Sequence, residues 1–316
     1  MIETQVLIVG GGPAGAACAW QLQRHHIPYL VLDKAAFPRP KPCAGWVTPD
    51  VFHLLETQPE DYPHSLTTFT SFNISLRGVK FTLPTRQYAI RRVEFDAWLL
   101  ERSGADLLQH QAQQVRQVQG GYLVDDRFYA RFIIGAGGTH CPVRRSLFTG
   151  DDLSSKSGLI ITREEEFSYS YQDPRCRLWF FEDGLPGYAW FVPKTDGILN
   201  VGIGGSAARL KAKGQTLNQH WSRLVEKLDR ERLVTGHTFQ PLGYSYRLRG
   251  KSPKLQRGNA FLVGDALGLA TRDMGEGIGA AIHSGILAAE AIIHNQPYRV
   301  SAIPRCSLPS ILRIRR

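Results

Sequence analysis

Residues 5–15 read Q-V-L-I-V-G-G-G-P-A-G, and the organisation of the chain follows from them. The apolar run 6–9 predicts a buried parallel strand. Gly10, Gly12 and Gly15 follow at once in G-x-G-x-x-G spacing, and the small residues 15–19 open a helix that carries Trp20 and Leu22. The three glycines serve different physical ends. They allow a tight strand-to-helix turn, close approach of backbone to a pyrophosphate, and close packing of helix on strand. The free N–H groups and the dipole at the helix start then hold the anion. A second predicted strand, 29–32, ends in Asp33. That acid lies about twenty residues past the first glycine, where a ribose-binding carboxylate belongs. The glycine motif alone is also met in turns that bind nothing. Set between a strand and a helix and followed by its acid, it predicts a cofactor containing ADP.

At 316 residues the chain has room for about two domains, and 43% hydrophobic content suffices for a core. The formal charge is +10, but the basic residues are dispersed and cluster only at Arg305, Arg313, Arg315 and Arg316. No nucleic-acid motif accompanies the charge, so an anionic substrate or contact with a membrane surface fits better than DNA or RNA. The cysteines Cys18, Cys43, Cys141, Cys176 and Cys306 are odd in number and include no C-x-x-C. This argues against a disulfide framework or a metal site and for the reducing cytoplasm. The apolar N-terminus carries Glu3 and no basic segment, unlike a secretory signal. The stretch 277–293 is interrupted by His283 and Glu290 and predicts a buried helix rather than a membrane span. A cytoplasmic protein, peripheral to the inner face of a membrane, is compatible with all of this.

After Asp33 the segment 37–46, F-P-R-P-K-P-C-A-G-W, is too rich in proline for helix or strand and predicts a functional loop. Residues 50–64 are polar and helical in part. Alternation over 67–82 predicts an antiparallel hairpin turning at Arg77-Gly78. Residues 92–103 form an amphipathic helix with Phe95, Trp98 and Leu99 on one face. Strands at 115–118, 122–124 and 132–134 follow, the last ending in Gly135, Ala136 and Gly137. From Leu159 to Arg249 the pattern changes to short alternating strands at 177–181, 188–193 and 198–203. A helix over 217–233 covers them, with Thr216 and Gln219 as a capping box. A strand at 260–263 then resumes the first pattern, and Gly275 opens a last helix to about Ile293. The expected fold is α/β (α+β overall). It consists of a Rossmann-like dinucleotide-binding domain (1–66, 86–155 and 255–296), an inserted, mostly antiparallel substrate domain (67–85 and 156–254) and an irregular basic tail (297–316).

Several motifs together resemble flavoproteins of the p-hydroxybenzoate hydroxylase fold, and within them the geranylgeranyl reductase family. Besides the opening stretch these are Lys41-Pro42-Cys43-Ala44-Gly45, similar to a K-P-C-G-G loop, and Arg92-x-x-Phe95-Asp96-x-x-Leu99. The others are residues 186–194, P-G-Y-A-W-F-V-P-K, similar to Y-x-W-x-F-P-K, and Gly264-Asp265-Ala266 with Gly275-Glu276-Gly277-Ile278. The resemblance reaches to about residue 295 and implies FAD. It implies FAD contacts from Gly10, Gly12, Pro13, Ala14, Gly15, Asp33 and Lys34, from Lys41, Cys43, Ala44 and Gly45, and from Arg92. Further contacts are implied at Gly135, Ala136, Gly137, Gly264, Asp265, Gly275, Gly277 and Ile278. Asp265 suits the ribityl hydroxyls, the alternative being a helix cap. Arg92 is either an FAD contact or a solvated helix-start charge. The chain departs from the family pattern where A-D-G is usual (Ala136-Gly137-Gly138), where a proline is usual (Arg272), and after Pro297, where relatives continue in helices.

The chemistry implied is reduction of an isolated C=C bond in a small apolar or prenyl substrate. Reduced flavin supplies hydride to one carbon and a general acid protonates the other. Candidates for the acid are Cys43 and Tyr188, although Cys43 also reads as a small buried hydrophobe. Tyr188 and Trp190, two residues apart on one strand, would line a prenyl tunnel or serve as core aromatics. Lys194 and Lys41 would meet a phosphate head or lie on solvated surface. Gly202-x-Gly204-Gly205 imitates a second dinucleotide motif, but it lies in the antiparallel regime, where no βαβ unit is expected. The electron donor, NAD(P)H or another reductant, then binds transiently. The same fold also serves monooxygenases and halogenases, and Tyr188-x-Trp190-x-Val192-Pro193 distantly echoes a halogenase W-x-W-x-I-P without its first tryptophan. A non-catalytic electron relay is the third alternative.

Overall fold

The computed structural model describes residues 1–149, 158–250 and 255–312. The expected domain boundaries near 155 and 254, and Arg313, Arg315 and Arg316 of the basic cluster, lie outside them. From the N-terminus, β1 (Ile2–Val9), α1 (Pro13–Arg24) and β2 (Tyr29–Asp33) form the opening unit. Next come β3 (Trp46–Val47), α2 (Pro49–Leu54), the hairpin β4 (Leu66–Leu76) and β5 (Val79–Ile90), and α3 (Arg92–Arg102). The chain continues through β6 (Leu107–Gln109), β7 (Val115–Val118), β8 (Gly121–Val124), β9 (Phe128–Gly135) and α4 (Pro142–Leu147). The middle region holds β10 (Leu159–Ser168), β11 (Arg177–Phe180), β12 (Gly187–Lys194), β13 (Ile198–Ser206), α5 (Ala207–Ala212), α6 (Leu217–Arg230) and β14 (Leu242–Arg247). The described chain finishes with β15 (Gln256–Arg257), β16 (Ala260–Leu262), α7 (Ile278–Ile293) and α8 (Leu308–Ile311).

The run of apolar residues in β1 has a simple cause: Val6, Leu7 and Ile8 are fully buried, covered on both faces of a sheet. That sheet is parallel in the order β16-β9-β1-β2-β6, with β15 antiparallel on β16 and the hairpin β7–β8 carried by β9. Its strands finish level. Val9 pairs with Leu32 and Gly135, and Gly135 pairs with Leu262. The turns that follow these strand ends therefore open on one crevice, the place where a doubly wound sheet takes its ligand. Above the sheet α1 and α7 pack so closely that a Cβ on Gly285 would stand 2.1 Å from the carbonyl oxygen of Ala14. The small-residue runs of both helices exist for this contact.

The second sheet has the order β14-β10-β13-β12-β11-β4-β5-β3 and is antiparallel except between β11 and β4. It is wider than the sequence pattern indicates: β5 continues to Ile90, β3 joins its edge, and β10 and β14 extend it at the other side. One face buries Trp179, Phe191 and Val201 under Trp221, Leu224 and Leu228 of α6. The capping box of α6 forms as expected, with Gln219 N–H on the Thr216 hydroxyl at 3.3 Å and Thr216 N–H on Gln219 Oε1 at 2.9 Å. The other face, with Phe72, Leu178, Trp190 and Val192, looks onto the crevice.

Residues 297–312 are irregular apart from α8, yet they are docked against the rest of the chain. Tyr298, Val300, Ile303 and Ile311 are buried. The buried Arg249 guanidinium donates to the carbonyls of Val300 (2.7 Å) and Ile303. Asp273 accepts from the N–H groups of Ser307 and Leu308 at 2.9 and 2.8 Å. Thr85 of β5 donates to Ile311 O at 2.7 Å. A few apolar anchors and backbone bonds thus dock a segment whose prolines and arginines read as loop. Among the described residues no helix is long and apolar enough to cross a membrane.

Candidate functional site

The crevice between the sheets encloses about 770 Å³, within the range of cofactor and ligand sites. At one end lie Gly10, Gly12, Pro13 and Ala14, with Ala136 and Gly137 across the row of strand ends. Gly10 has φ +116°, and a Cβ there would sit 2.4 Å from Ala136 O, so only glycine fits. Gly12 caps α1 with no side-chain partner, leaving the first N–H groups of the helix free for an anion. Asp33 is fixed at the rim by accepting from Gly11 N–H at 2.8 Å and Ala35 N–H at 3.0 Å, with Lys34 beside it.

The proline loop forms the middle of the site. Lys41, Cys43 and Ala44 line it, and Cys43 Sγ accepts from Gly45 N–H at 3.4 Å. Lys41 Nζ sits 2.9 Å from the Tyr244 ring centroid, and the Tyr244 hydroxyl donates to Asp265 Oδ2 at 3.0 Å. Burial, then the neighbouring Arg92 charge, pushes the Lys41 ammonium down to about 8. Arg92 is no solvated helix-start charge. It is 9% exposed and donates twice to Asp96, at 2.7 Å each, while still lining the crevice. Asp265 caps no helix either. The N-cap of α7 is Gly277, and the carboxyl of the preceding Glu276 accepts from Gly279 N–H at 2.6 Å, so this second helix start faces the site already partly capped. That helix begins at Ile278, and Gly275 and Gly277 precede it rather than open it.

The far end belongs to the second sheet. Phe72, Leu178, Tyr188 and Trp190 line it. The Tyr188 hydroxyl donates to Met274 O at 2.6 Å, and burial holds its pKa well above the usual phenol range. Trp190 Nε1 donates to Asn200 Oδ1 at 2.7 Å. In register across the sheet run Leu178, Trp190, Gly202 and Glu164. A Cβ on Gly202 would fall 2.2 Å from Trp190 Cζ2 and 2.7 Å from Glu164 Cβ. The glycines that imitate a dinucleotide motif are therefore a strand stripped of side chains so that an indole can lie across it.

Glu164, which no sequence motif marks, is 4% exposed and lines the crevice. No described group bonds its Oε1. Burial pushes the carboxyl up to about 7, against the pull of Lys194 and Lys41. The one signal in the sequence is its place in step with Thr162 on an alternating strand, obscured by the acidic run Glu164-Glu165-Glu166. Glu276 also lines the crevice; it accepts from Gly279 N–H at 2.6 Å, and burial pushes it up to about 7.

Five expected site residues do not line the crevice. Gly15, Gly45 and Gly135 serve close packing. A Cβ would meet Gly10 O at 1.9 Å, Ile90 O at 2.0 Å and Leu262 Cδ2 at 2.7 Å respectively. Gly264 has φ +58° and donates its N–H to Ser284 Oγ at 2.9 Å. Lys194 is neither a phosphate ligand nor solvated surface. It is 1% exposed, with Nζ on Glu166 Oε2 at 2.6 Å and Ile90 O at 2.9 Å.

The donor set fits FAD. Two helix starts face one crevice, the first of them uncapped, a carboxylate stands at each of two strand ends, and an apolar aromatic wall closes the far side. A family model described as an NAD(P)-binding Rossmann-like domain matches residues 8–72. An uncharacterised protein of Methanosarcina barkeri is 30% identical over 317 residues, covering 92% of this chain and 75% of its own. Digeranylgeranylglycerophospholipid reductase 2 of Methanosphaera stadtmanae is 27% identical, covering 92% of this chain and 79% of its own. Among solved structures, a geranylgeranyl bacteriochlorophyll reductase-like protein of Thermoplasma acidophilum superposes with a TM-score of 0.81 at 22% identity, over 96% of this chain and 82% of that one. With the fold, the crevice and these likenesses in agreement, the chain belongs to the geranylgeranyl reductase family of FAD-dependent oxidoreductases.

Proposed function

We propose that the protein reduces carbon–carbon double bonds of an isoprenoid chain held against the second sheet. The carrying observation is Glu164, a buried acid lacking a partner for one oxygen in the wall of an otherwise apolar aromatic cleft. FAD, when bound, supplies the electron pair as hydride. Gly10, Gly12 and the start of α1 would hold its pyrophosphate, Asp33 its ribose, and Asp265 its ribityl chain. The dipole at the start of α7 would favour negative charge on the ring. Phe72, Leu178 and Trp190 hold the chain and exclude water. An unactivated alkene needs a proton at the carbon opposite the attacked one, and Glu164, neutral up to about pH 7, keeps one in place. Cys43 is the second candidate acid. Tyr188 is the poorer one, since its hydroxyl is committed to Met274 O. A diffusible reductant, NAD(P)H or another, would reload the cofactor.

The test is anaerobic. FAD-loaded protein is reduced with dithionite, mixed with a geranylgeranyl lipid, and followed by flavin absorbance and product mass. Reoxidation with gain of hydrogen pairs is expected. No mass change with several prenyl lipids sinks the reading. Reoxidation only when oxygen is admitted, with gain of an oxygen atom, points to a monooxygenase. Reoxidation only by another redox partner points to an electron relay.

A further inference from the structure

The apolar face that lines the cleft does not end there. Phe72 of β4 pairs with Leu83 of β5, Ile74 with Phe81, and Leu76 with Val79, so all six side chains share one face. Leu178 and Phe180 of β11 continue that face beside Ile74 and Leu76. Phe72 and Leu178 line the cleft, Ile74, Leu83 and Phe180 are partly covered, and the outer members are bare. Val79 is 68% exposed, Phe81 44%, Leu76 43% and the adjoining Phe181 43%. Short helix α8 lies on the same face over Thr85 and Gln87 and leaves Leu308 and Leu312 exposed. Large apolar side chains gathered at a hairpin tip are not what a solvated loop carries.

Positive charge lies beside this tip, much of it on the opposite side of the sheet. Arg77 and Lys80 are exposed in the hairpin. Exposed Lys213 and Arg223 donate to the carbonyls of Gly184 and Asp183 on the turn after Phe181. Asp183 itself is an exposed acid there, and Glu182 is paired with Lys227. A second copy of the chain would bring like charges together. Pro84 and the exposed Lys80 and Arg86 also make this edge of β5 unsuited to strand pairing. An anionic lipid surface meets both features: apolar side chains enter the headgroup–acyl boundary while cations meet lipid phosphates.

We propose that the β4–β5 hairpin tip, with Phe181 and α8 beside it, docks the protein on an anionic bilayer surface. An isoprenoid chain then passes along the continuous apolar face into the cleft. The assignment rests on the isoprenoid reading for its purpose, but binding is measured without that substrate. FAD-loaded protein is floated with vesicles of equal parts phosphatidylcholine and phosphatidylglycerol. Binding is expected, weaker in high salt and weaker to phosphatidylcholine alone. The double variant Val79→Ser/Phe81→Ser should keep its FAD and thermal midpoint and bind at least about tenfold less tightly. Arg77→Glu/Lys80→Glu, which leaves the core untouched, should lose only the preference for anionic vesicles. Wild-type protein that stays unbound, or both variants binding like wild type, overturns the proposal. So does a serine variant that turns a dimer into monomers without altering flotation, which assigns the patch to a second copy. The vesicles contain no prenyl substrate, so a negative turnover assay leaves this result standing.

Discussion

Lys41 Nζ stands 2.9 Å from the centre of the Tyr244 ring, and that ring's hydroxyl donates to Asp265 at 3.0 Å. One cation–π contact and one hydrogen bond thereby tie the proline loop, the outer strand of the second sheet and the turn after β16 around the middle of the cleft. The ammonium is buried, and burial followed by the neighbouring Arg92 charge lowers its pKa to about 8.

Replacing Lys41 by Met should weaken FAD binding about tenfold near pH 7, read by titration calorimetry. In the wild type, affinity should decline as pH rises through about 8, where Lys41 loses its charge. Stability should move the opposite way. Between about 8 and the ordinary value of 10.5 the unfolded chain binds the extra proton, so stability gains with pH across that window. Lys41→Met should flatten both trends, and unchanged profiles would remove Lys41 from the site.

Glu164→Gln should retain FAD and slow substrate-dependent flavin reoxidation by about a hundredfold or more. The wild-type rate should fall as pH rises through about 7, and the variant's should not. Because burial raises this carboxyl from 4.5, its contribution to stability is full below pH 4.5 and lost as pH rises through about 7. Thermal midpoints of wild type and variant at pH 4.5 and pH 8 should therefore diverge, the variant being favoured at the higher pH. Cys43→Ala compared in the same assay separates the two candidate acids: whichever variant keeps the wild-type rate has lost no proton donor.

Gly202→Ala puts a methyl 2.2 Å from Trp190 Cζ2, a collision with a ring anchored through Asn200. A loss of about 1–3 kcal/mol is expected by chemical denaturation, with a shift in tryptophan fluorescence as the indole moves. An unaltered spectrum and midpoint would show that the ring has room to spare.

For residues 298–312, Ile311→Ala should cost about 2 kcal/mol or more, because Ile311 is 2% exposed between the α8 backbone and the second sheet. Arg249→Met should cost about 1–3 kcal/mol by leaving the Val300 and Ile303 carbonyls without their donor. Variants as stable as wild type would mean that the segment is not docked in solution.

What the sequence disclosed was local and periodic. The Gly10–Gly15 turn, the Arg77-Gly78 hairpin, the Thr216–Gln219 cap and the small-residue helix after Gly277 each depend on a backbone conformation or contact that few residue types satisfy. What it concealed depends on partners far along the chain. Lys194 looks like a surface lysine until Glu166 and the Ile90 carbonyl are brought to it. Glu164 looks like one of three solvated acids until the strand alternation turns it inward beside Gly202. Residues 298–312 carry anchors too sparse to form a period, and their bonding is to Arg249, Asp273 and Thr85, none of them near in sequence.

The bond between the Thr85 hydroxyl and Ile311 O joins residues 226 positions apart. During synthesis β4 and β5 leave the ribosome early, yet their cleft-side face stays uncapped at this point until residue 311 follows. This contact can close only after residue 311 has been made, so the docking of α8 over β5 is a late, non-local step of folding.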